Sequence, residues 1–341
     1  MGFDIRDVPS STRLGSLGMD SLMSLTVAGV VREKLDLDIS HLILADDISF
    51  DELDKKLAPA PMNETIIDKR SRLENDPPRN QIEPGIAAAE HPPASSVLLQ
   101  GNPKSCEKTM FLLPDGSGLA TTYAALPSLM PNLAVYGLNS PFLKNPRDYN
   151  CGIDGIAKSF VAEIRKRQSR GPYLLGGWSV GGVIAYEAAS ILINEGELVD
   201  QLLLIDAPCP TELPPLPTSL VRFFDSIGLF GDSKAPEWLL EHFDSTVENL
   251  AHYKPAPLPA AKAPKSITIW AREGVCGDPT APRPGQTEQE NRSQRWILDN
   301  RTDFSPNGWQ KLLGKDKTRG VGVQGNHFTM FREPNVSLRD Q

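Results

Sequence analysis

The chain has 341 residues, of which 43 are acidic and 35 basic, so its formal net charge is -8. This balance, with no long basic run, argues against nucleic acid or an anionic membrane as the main partner. No apolar run approaches the roughly 18 residues of a membrane span, and residues 1–14 lack the apolar core of a secretory signal. Four scattered cysteines form no Cys-x-x-Cys pair, which favours reduced structural thiols and no metal site. We therefore expect a soluble, cytoplasmic chain.

Proline and aromatic content divide the chain into three parts. Residues 58–97 contain seven prolines and no Phe, Tyr or Trp, and such a composition buries too little apolar surface to offset its ordering entropy. We therefore predict a disordered, proline-rich linker over 58–104. It separates a small helical segment, residues 1–57, from a large domain, residues 105–341.

The N-terminal segment shows helical spacing. Apolar residues recur every three or four positions after Ser21, at Leu22, Leu25, Ala28, Val31 and Leu35. A Ser-x-x-Glu pattern from Ser49 to Glu52 is typical of a capping box that opens another short helix. On these residues alone, Ser21 is an ordinary helix-start residue.

The large domain alternates short apolar runs with helical patterns, which predicts an α/β fold with a mostly parallel sheet. The expected strands lie at 109–113, 133–138, 172–176, 201–206, 266–271 and 319–324, and two expected helices lie at 153–168 and 180–195. Between the fourth and fifth of these strands the pattern breaks. Residues 208–264 carry ten prolines and two amphipathic stretches. An insertion of this length between core strands predicts a helical lid over a site.

The sharpest motif is Gly177-Trp178-Ser179-Val180-Gly181, which lies directly after a predicted strand and before a predicted helix. This G-x-S-x-G arrangement exposes a serine hydroxyl on a strained turn, as a nucleophile requires. The backbone N–H of Val180 then lies at the helix N-terminus, where negative charge is stabilised. The alternative is a glycine-rich turn whose serine has no catalytic role.

A serine hydroxyl needs a neighbouring base to become a nucleophile at neutral pH. Two of the five histidines precede Ser179, and two more, His242 and His252, lie in or beside the predicted lid. His327 follows the last predicted strand, where a loop at the carboxyl edge of the sheet would bring it over the serine. We therefore predict His327 as the base.

The acid that orients this base is predicted to be Asp206, which closes the apolar strand 201–206 at the same edge of the sheet. Ser179, Asp206 and His327 then follow the chain order of an α/β-hydrolase triad. Glu273, after the next strand, is the competing acid.

A glycine-rich loop, Pro114-Asp115-Gly116-Ser117-Gly118, follows the first predicted strand of the large domain. Loops in this position supply the second backbone N–H of an oxyanion hole. Asp115 is the backbone candidate, and a simple Pro-Asp-Gly turn is the alternative.

These motifs carry a family resemblance. The nine residues 17–25, around Ser21, resemble the phosphopantetheine attachment site of an acyl carrier protein. Together with the Asp115 loop, the Ser179 motif and Gly325-Asn326-His327-Phe328, they make the chain similar to the C-terminal carrier and thioesterase region of fungal non-reducing iterative polyketide synthases. The resemblance covers about residues 10–57 and 105–335.

The resemblance implies an α/β-hydrolase fold and supports Asp206 over Glu273, because the family's acid follows the same strand. It implies 4'-phosphopantetheine on Ser21, and as partners the upstream synthase domains, a phosphopantetheinyl transferase and a carrier-bound polyketide thioester. The polyketide would pass to Ser179 and leave by hydrolysis, Claisen cyclisation or lactone formation.

One departure affects the carrier. Only twenty residues precede Ser21, whereas carrier domains of this kind have a full helix there, so we expect the first carrier helix to be missing. Three other functions stay open at this point: an editing thioesterase, the terminal thioesterase of a nonribosomal peptide synthetase, and an inactive carrier or docking module.

Overall fold

A computed structural model describes residues 10, 13, 49–57, 92–212, 216–217, 219–230, 235–278, 280–284, 288–332 and 335. Ser21 and most of the expected carrier segment lie outside the described residues, as do positions 58–91 of the expected linker. Within the described ranges, no helix is long and apolar enough to cross a membrane.

The domain is built on a seven-stranded sheet in the order β1-β3-β2-β4-β5-β6-β7. Strand β1 pairs antiparallel with β3, and all the other pairs are parallel. The strands are β1 (Ser95–Gln100), β2 (Lys108–Leu113), β3 (Leu133–Asn139), β4 (Tyr173–Trp178), β5 (Val199–Ile205), β6 (Lys265–Ala271) and β7 (Thr318–Val323). All six predicted strands are confirmed. Parallel strands with helices on both sides need near-continuous apolar runs, and β3 is buried along its whole length.

Strand β1 corrects the predicted extent of the linker. It lies inside the stretch 58–104, so the ordered sheet begins at Ser95 and the linker cannot extend to residue 104. The prolines of residues 58–93 dominate the composition of this stretch and conceal a short apolar run at its end, of which Val97 and Leu98 are buried. Antiparallel pairing with β3 satisfies the backbone of this edge strand.

The described residues form seven α-helices: α1 (Phe50–Leu57), α2 (Gly152–Arg167), α3 (Val180–Asn194), α4 (Ser219–Ser226), α5 (Glu237–His252), α6 (Glu288–Leu298) and α7 (Trp309–Leu313). The predicted capping box opens α1, since the Ser49 N–H donates to Glu52 Oε2 at 2.9 Å and the Glu52 N–H donates to Ser49 Oγ at 3.3 Å. The predicted helices at 153–168 and 180–195 are α2 and α3.

Helix α3 is the buried helix that packs against the two central strands of the sheet. Eleven of its fifteen residues are buried, and it contacts both β4 and β5 as well as α2. A helix that is apolar nearly all round packs inside a fold. Because α3 begins at Val180, two residues after β4 ends, its N-terminus lies at the carboxyl end of that strand.

Helices α4 and α5 occupy the insertion between β5 and β6, as predicted for 208–264. Helix α6, between β6 and β7, adds to the same roof, because Ile297 and Leu298 cluster with Leu220 and Phe224 of α4. Together these three helices cover the carboxyl edge of the central strands.

Candidate active site

Ser179 lies on the turn between β4 and α3, and its backbone is strained. Its φ of 58° and ψ of -132° fall in a region that non-glycine residues rarely adopt. A Cβ at Gly177 would lie 2.1 Å from the carbonyl carbon of Gly181, and a Cβ at Gly181 would lie 2.4 Å from the carbonyl oxygen of Leu113. The two glycines therefore allow the close approach of strand and helix that holds Ser179 in this turn.

Asp206 and His327 form a buried pair beside this turn. Asp206 directly follows β5 and is 1% exposed, and its Oδ2 lies 2.8 Å from Nδ1 of His327, which is 4% exposed. The backbone N–H of Ala271 donates to the other oxygen, Asp206 Oδ1, at 3.1 Å. With Nδ1–H donating to the carboxylate, Nε2 is the imidazole nitrogen free to accept a proton.

The imidazole of His327 is held from two sides by indole rings. The ring centroid of Trp178 lies 4.7 Å away and that of Trp296 lies 5.2 Å away, the second at an interplanar angle of 85°. Trp178 precedes Ser179 and Trp296 belongs to α6. The imidazole is therefore fixed in orientation by packing as well as by its bond to Asp206.

Glu273, the competing acid, makes no such contact with the imidazole. Its backbone N–H donates to the carbonyl of Gly325 at 3.1 Å, and its Oε1 accepts from the N–H of Gly325 at 3.4 Å. Glu273 therefore braces the loop that carries His327.

Sequence reasoning missed Arg301, which lies behind the pair. Its guanidinium Nη2 lies 4.0 Å from Asp206 Oδ1, its side chain is 12% exposed, and its Cζ lies 4.2 Å from the centroid of the Trp270 ring. Burial lowers the pKa of Arg301, while the carboxylates of Asp206 and Asp303 oppose that effect. Arginine nonetheless stays charged at neutral pH. No local pattern around residue 301 signals this role.

The loop 114–118 lies close to the turn that carries Ser179, since a Cβ at Gly181 would lie 2.7 Å from the carbonyl oxygen of Pro114. The hydroxyls of Ser117 and Thr122 donate to Asp115 Oδ1 at 2.5 and 3.0 Å, and burial raises the pKa of Asp115. Two backbone N–H groups are the candidates for the oxyanion hole. Val180 is the first residue of α3, whose N–H has no intrahelical acceptor, and among the described residues no hydrogen bond engages the N–H of Asp115.

Tyr123 joins the two strands that carry these donors. Its hydroxyl donates to the carbonyl of Leu113 at the end of β2, at 2.5 Å, and accepts from the N–H of Trp178 at the end of β4, at 2.8 Å. A phenol buried between two backbone groups fixes their separation, because losing either bond would strand a buried polar group.

A mostly apolar cavity under the lid brings these groups together. It is lined by Ser179, Val180, Asp115 and His327 at its floor, and elsewhere by apolar side chains that include Leu220, Phe224, Phe230, Phe243, Val247, Trp296 and Phe328. Its volume is about 80 Å³, well below the roughly 300–1,000 Å³ of ligand pockets. The lid is therefore closed in this structure and has to move to admit a large substrate.

A wider cavity of about 580 Å³ lies between α2 and the C-terminal end of α5. It is polar and contains neither Ser179 nor His327, so we do not assign the chemistry to it. Among the described residues, no cluster of three or more His, Cys, Asp or Glu could hold a metal ion.

The chain is similar to known thioesterases and polyketide synthases. Residues 108–338 match the thioesterase domain family. The chain is 44% identical to the non-reducing polyketide synthase Preu8 of Preussia isomera, and 44% identical to the conidial yellow pigment biosynthesis polyketide synthase of Emericella nidulans. Each match covers 97% of this chain and 16% of the relative. The chain therefore spans about a sixth of the length of these relatives.

Solved structures show the same fold. The NocB thioesterase domain from the nocardicin cluster, in covalent complex with a fluorophosphonate nocardicin G analogue, aligns with a TM-score of 0.53 at 24% identity and covers 71% of this chain and 95% of its own. The RedJ thioesterase of Streptomyces coelicolor aligns with a TM-score of 0.51 at 15% identity, covering 74% and 92%. With the family match, these comparisons establish that the chain belongs to the thioesterase domain family and is a thioester-cleaving enzyme with an α/β-hydrolase fold.

Proposed function

We propose that this chain releases a polyketide from a carrier-bound thioester through an acyl intermediate on Ser179. The observation that carries the proposal is the buried Asp206–His327 pair, 2.8 Å apart, at a cavity that also holds Ser179 on its strained turn. Sequence identity of 44% to a non-reducing polyketide synthase supports the substrate class.

In the first half of the reaction, Nε2 of His327 takes the proton of Ser179 Oγ while Oγ attacks the thioester carbonyl. The oxyanion that forms accepts hydrogen bonds from the N–H groups of Val180 and Asp115. The carbon–sulfur bond then breaks, and the leaving thiolate takes the proton from the His327 imidazolium. Asp206 stays ionised throughout and stabilises that imidazolium.

In the second half, the acyl group leaves Ser179. For Claisen release, His327 removes a proton from a carbon between two carbonyls of the chain, the enolate attacks the acyl carbonyl, and Ser179 Oγ departs with that proton. For lactone release or hydrolysis, an internal hydroxyl or water plays the same part. We favour cyclisation, because the closed cavity is mostly apolar, and an internal nucleophile held there reaches an effective concentration of about 10⁵ M or more.

The proposal extends to the N-terminal part of the chain. We propose residues 1–57 as a carrier-like segment with 4'-phosphopantetheine attached to Ser21 by a phosphopantetheinyl transferase, joined by a linker to the thioesterase domain. Upstream synthase domains would supply the polyketide in the cytoplasm. The support is the sequence pattern around Ser21, which lies outside the described residues.

Mass spectrometry of the protein, intact and after proteolysis, tests the enzymatic proposal. The chain is mixed with a synthetic polyketide thioester and quenched early, and the expected result is an acyl mass increment on the peptide that contains Ser179. Ser179→Ala should carry no such increment. An acyl group on another residue, or full turnover by the alanine variant, would disprove the proposal.

The mode of release is read from the oxygen atoms of the product. Turnover in water enriched in the heavy oxygen isotope should give an unlabelled ring-closed product. A free acid that carries the label would instead establish hydrolysis.

A further inference from the structure

His242 of the lid helix α5 is a buried histidine for which the proposed reaction has no use. It is 1% exposed, and both its ring nitrogens are bonded: Nδ1 lies 2.8 Å from the carbonyl oxygen of Gly116, and Nε2 lies 2.8 Å from Ser140 Oγ. Gly116 follows Asp115, whose N–H is the proposed second donor of the oxyanion hole. The lid is thus bonded directly to the loop that supplies this donor.

The partners determine the tautomer of His242. A carbonyl oxygen only accepts, so Nδ1 carries the hydrogen and donates to Gly116. Ser140 Oγ already accepts the N–H of Phe142 at 3.1 Å, which leaves its own hydrogen to donate to Nε2. Burial lowers the pKa of His242, in agreement with this neutral form.

The glycines of the loop also fit the lid. A Cβ at Gly116 would lie 2.4 Å from the ring of Phe243, and a Cβ at Gly118 would lie 2.6 Å from the ring of His242. Thr246, one turn further along α5, directs its hydroxyl to the carbonyl of His242 at 2.8 Å and lies 3.5 Å from the carbonyl of Gly116. Helix α5 therefore packs closely against residues 116–118, where glycines leave room for its side chains.

We propose that His242 is a positioning residue, which holds the carbonyl of Gly116, the residue after Asp115, and thereby fixes the loop so that the Asp115 N–H points at the oxyanion only while α5 is docked. The proposal rests on the proposed function, since it requires an oxyanion formed at Ser179. Closing the lid then completes the oxyanion hole. When α5 lifts to admit substrate, Gly116 loses its partner and the donor loses its alignment.

The test compares three variants of the full chain with the parent, on a butyryl thioester of N-acetylcysteamine. His242→Phe keeps a ring but removes both bonds, whereas His242→Asn retains an amide N–H close to the position of Nδ1. Asn249→Ala is the matched control. Asn249 lies on the same helix and bonds to Gly152 and Tyr149, so its removal weakens the fold at another point of α5 and leaves the bonds of His242 to Gly116 and Ser140 in place.

Misaligning one oxyanion donor should lower kcat by about 10- to 100-fold in His242→Phe, with KM within about threefold. His242→Asn should recover most of the lost kcat. Asn249→Ala should lower the melting temperature while kcat stays within about threefold of the parent. Equal kcat in His242→Phe and the parent, or equal kcat losses in His242→Phe and Asn249→Ala that follow stability, would overturn the proposal.

If His242→Phe does not fold, Ser140→Ala provides the same test more mildly, because it removes only the partner of Nε2. A kcat loss of about three- to tenfold at unchanged KM is expected, and unchanged kcat would contradict the proposal. Labelling of Ser179 by a fluorophosphonate, run in parallel, separates a failure of the proposed serine mechanism from a failure of the proposed role of His242. Labelling elsewhere would disprove the serine mechanism itself, whereas labelling at Ser179 with no effect of either variant would disprove only the role of His242.

Discussion

Ser179 and Asp206 are both non-glycine residues with positive φ, 58° and 41°, and each directly follows the end of one of two neighbouring parallel strands. The N–H of Ser179 donates to the carbonyl of Ile205, the residue before Asp206, at 2.9 Å. The proposed nucleophile and the proposed acid are thus held by two adjacent strained turns joined by a backbone hydrogen bond. Such conformations cost about 1–3 kcal/mol each and persist where the surroundings enforce them.

Relief of this strain should be measurable at Ser179. Ser179→Gly and Ser179→Ala both remove the nucleophile, but only glycine adopts the observed φ and ψ without strain. We expect Ser179→Gly to be more stable than Ser179→Ala by about 1 kcal/mol, after allowance for the greater chain entropy of unfolded glycine. Urea unfolding measures the difference. An alanine variant that is the more stable of the two would show that the turn is unstrained.

The serine and its base should act as one unit. Ser179→Ala and His327→Ala should each lower kcat on the order of a millionfold, and the double variant should be no slower than either single variant. Steady-state rates measured with the N-acetylcysteamine thioester allow the kcat values of the single and double variants to be compared. Losses that multiply would mean that the two residues serve separate steps.

Two substitutions of a carboxylate by a carboxamide test which residue is the acid of the triad. Asp206→Asn keeps the volume but favours the wrong imidazole tautomer, so kcat should fall about 10⁴-fold. Glu273→Gln should lower kcat only about threefold, because Glu273 contacts the backbone of Gly325. Reversed effects in the two variants would transfer the role of acid to Glu273.

His242 should make stability depend on pH in a definite direction. Burial lowers its pKa in the folded state, so below about pH 6.5 the unfolded chain binds a proton that the folded chain does not, and stability falls as pH decreases. One such proton contributes at most about 1.4 kcal/mol per pH unit. His242→Asn should flatten the loss between pH 6.5 and 5 in urea unfolding. Asp115 and the other carboxyls are unchanged in this variant, so a slope equal to that of the parent would mean that His242 is protonated in the fold.

Local pattern predicted the sheet, and through it most of the proposed site. Apolar runs located six strands, and a carboxylate at the end of one of them identified Asp206, because parallel strands end at a common edge. Contacts between distant residues leave no such trace. His242 lies 126 positions from Gly116, and Arg301 lies 95 positions from Asp206, so neither is distinguishable in sequence from an ordinary helix histidine or loop arginine.

Strand β1 was missed for a different reason. Its apolar run is short, and its partner β3 lies about forty residues away in sequence. An edge strand of this kind gains its stability from pairing that composition does not reveal.

The bond of Tyr123 to the carbonyl of Leu113 limits how much of the oxyanion loop responds to the lid. On the other side, the N–H of Ser140 donates to the carbonyl of Gly118 at 2.7 Å. Only residues 114–117 lie between these two anchored carbonyls, and α5 bonds to Gly116 among them. Under the proposed role of His242, opening the lid thus misaligns one peptide without disturbing the sheet. The open enzyme then holds a thioester without cleaving it, so a chain still exposed to water is protected from premature release until it is enclosed.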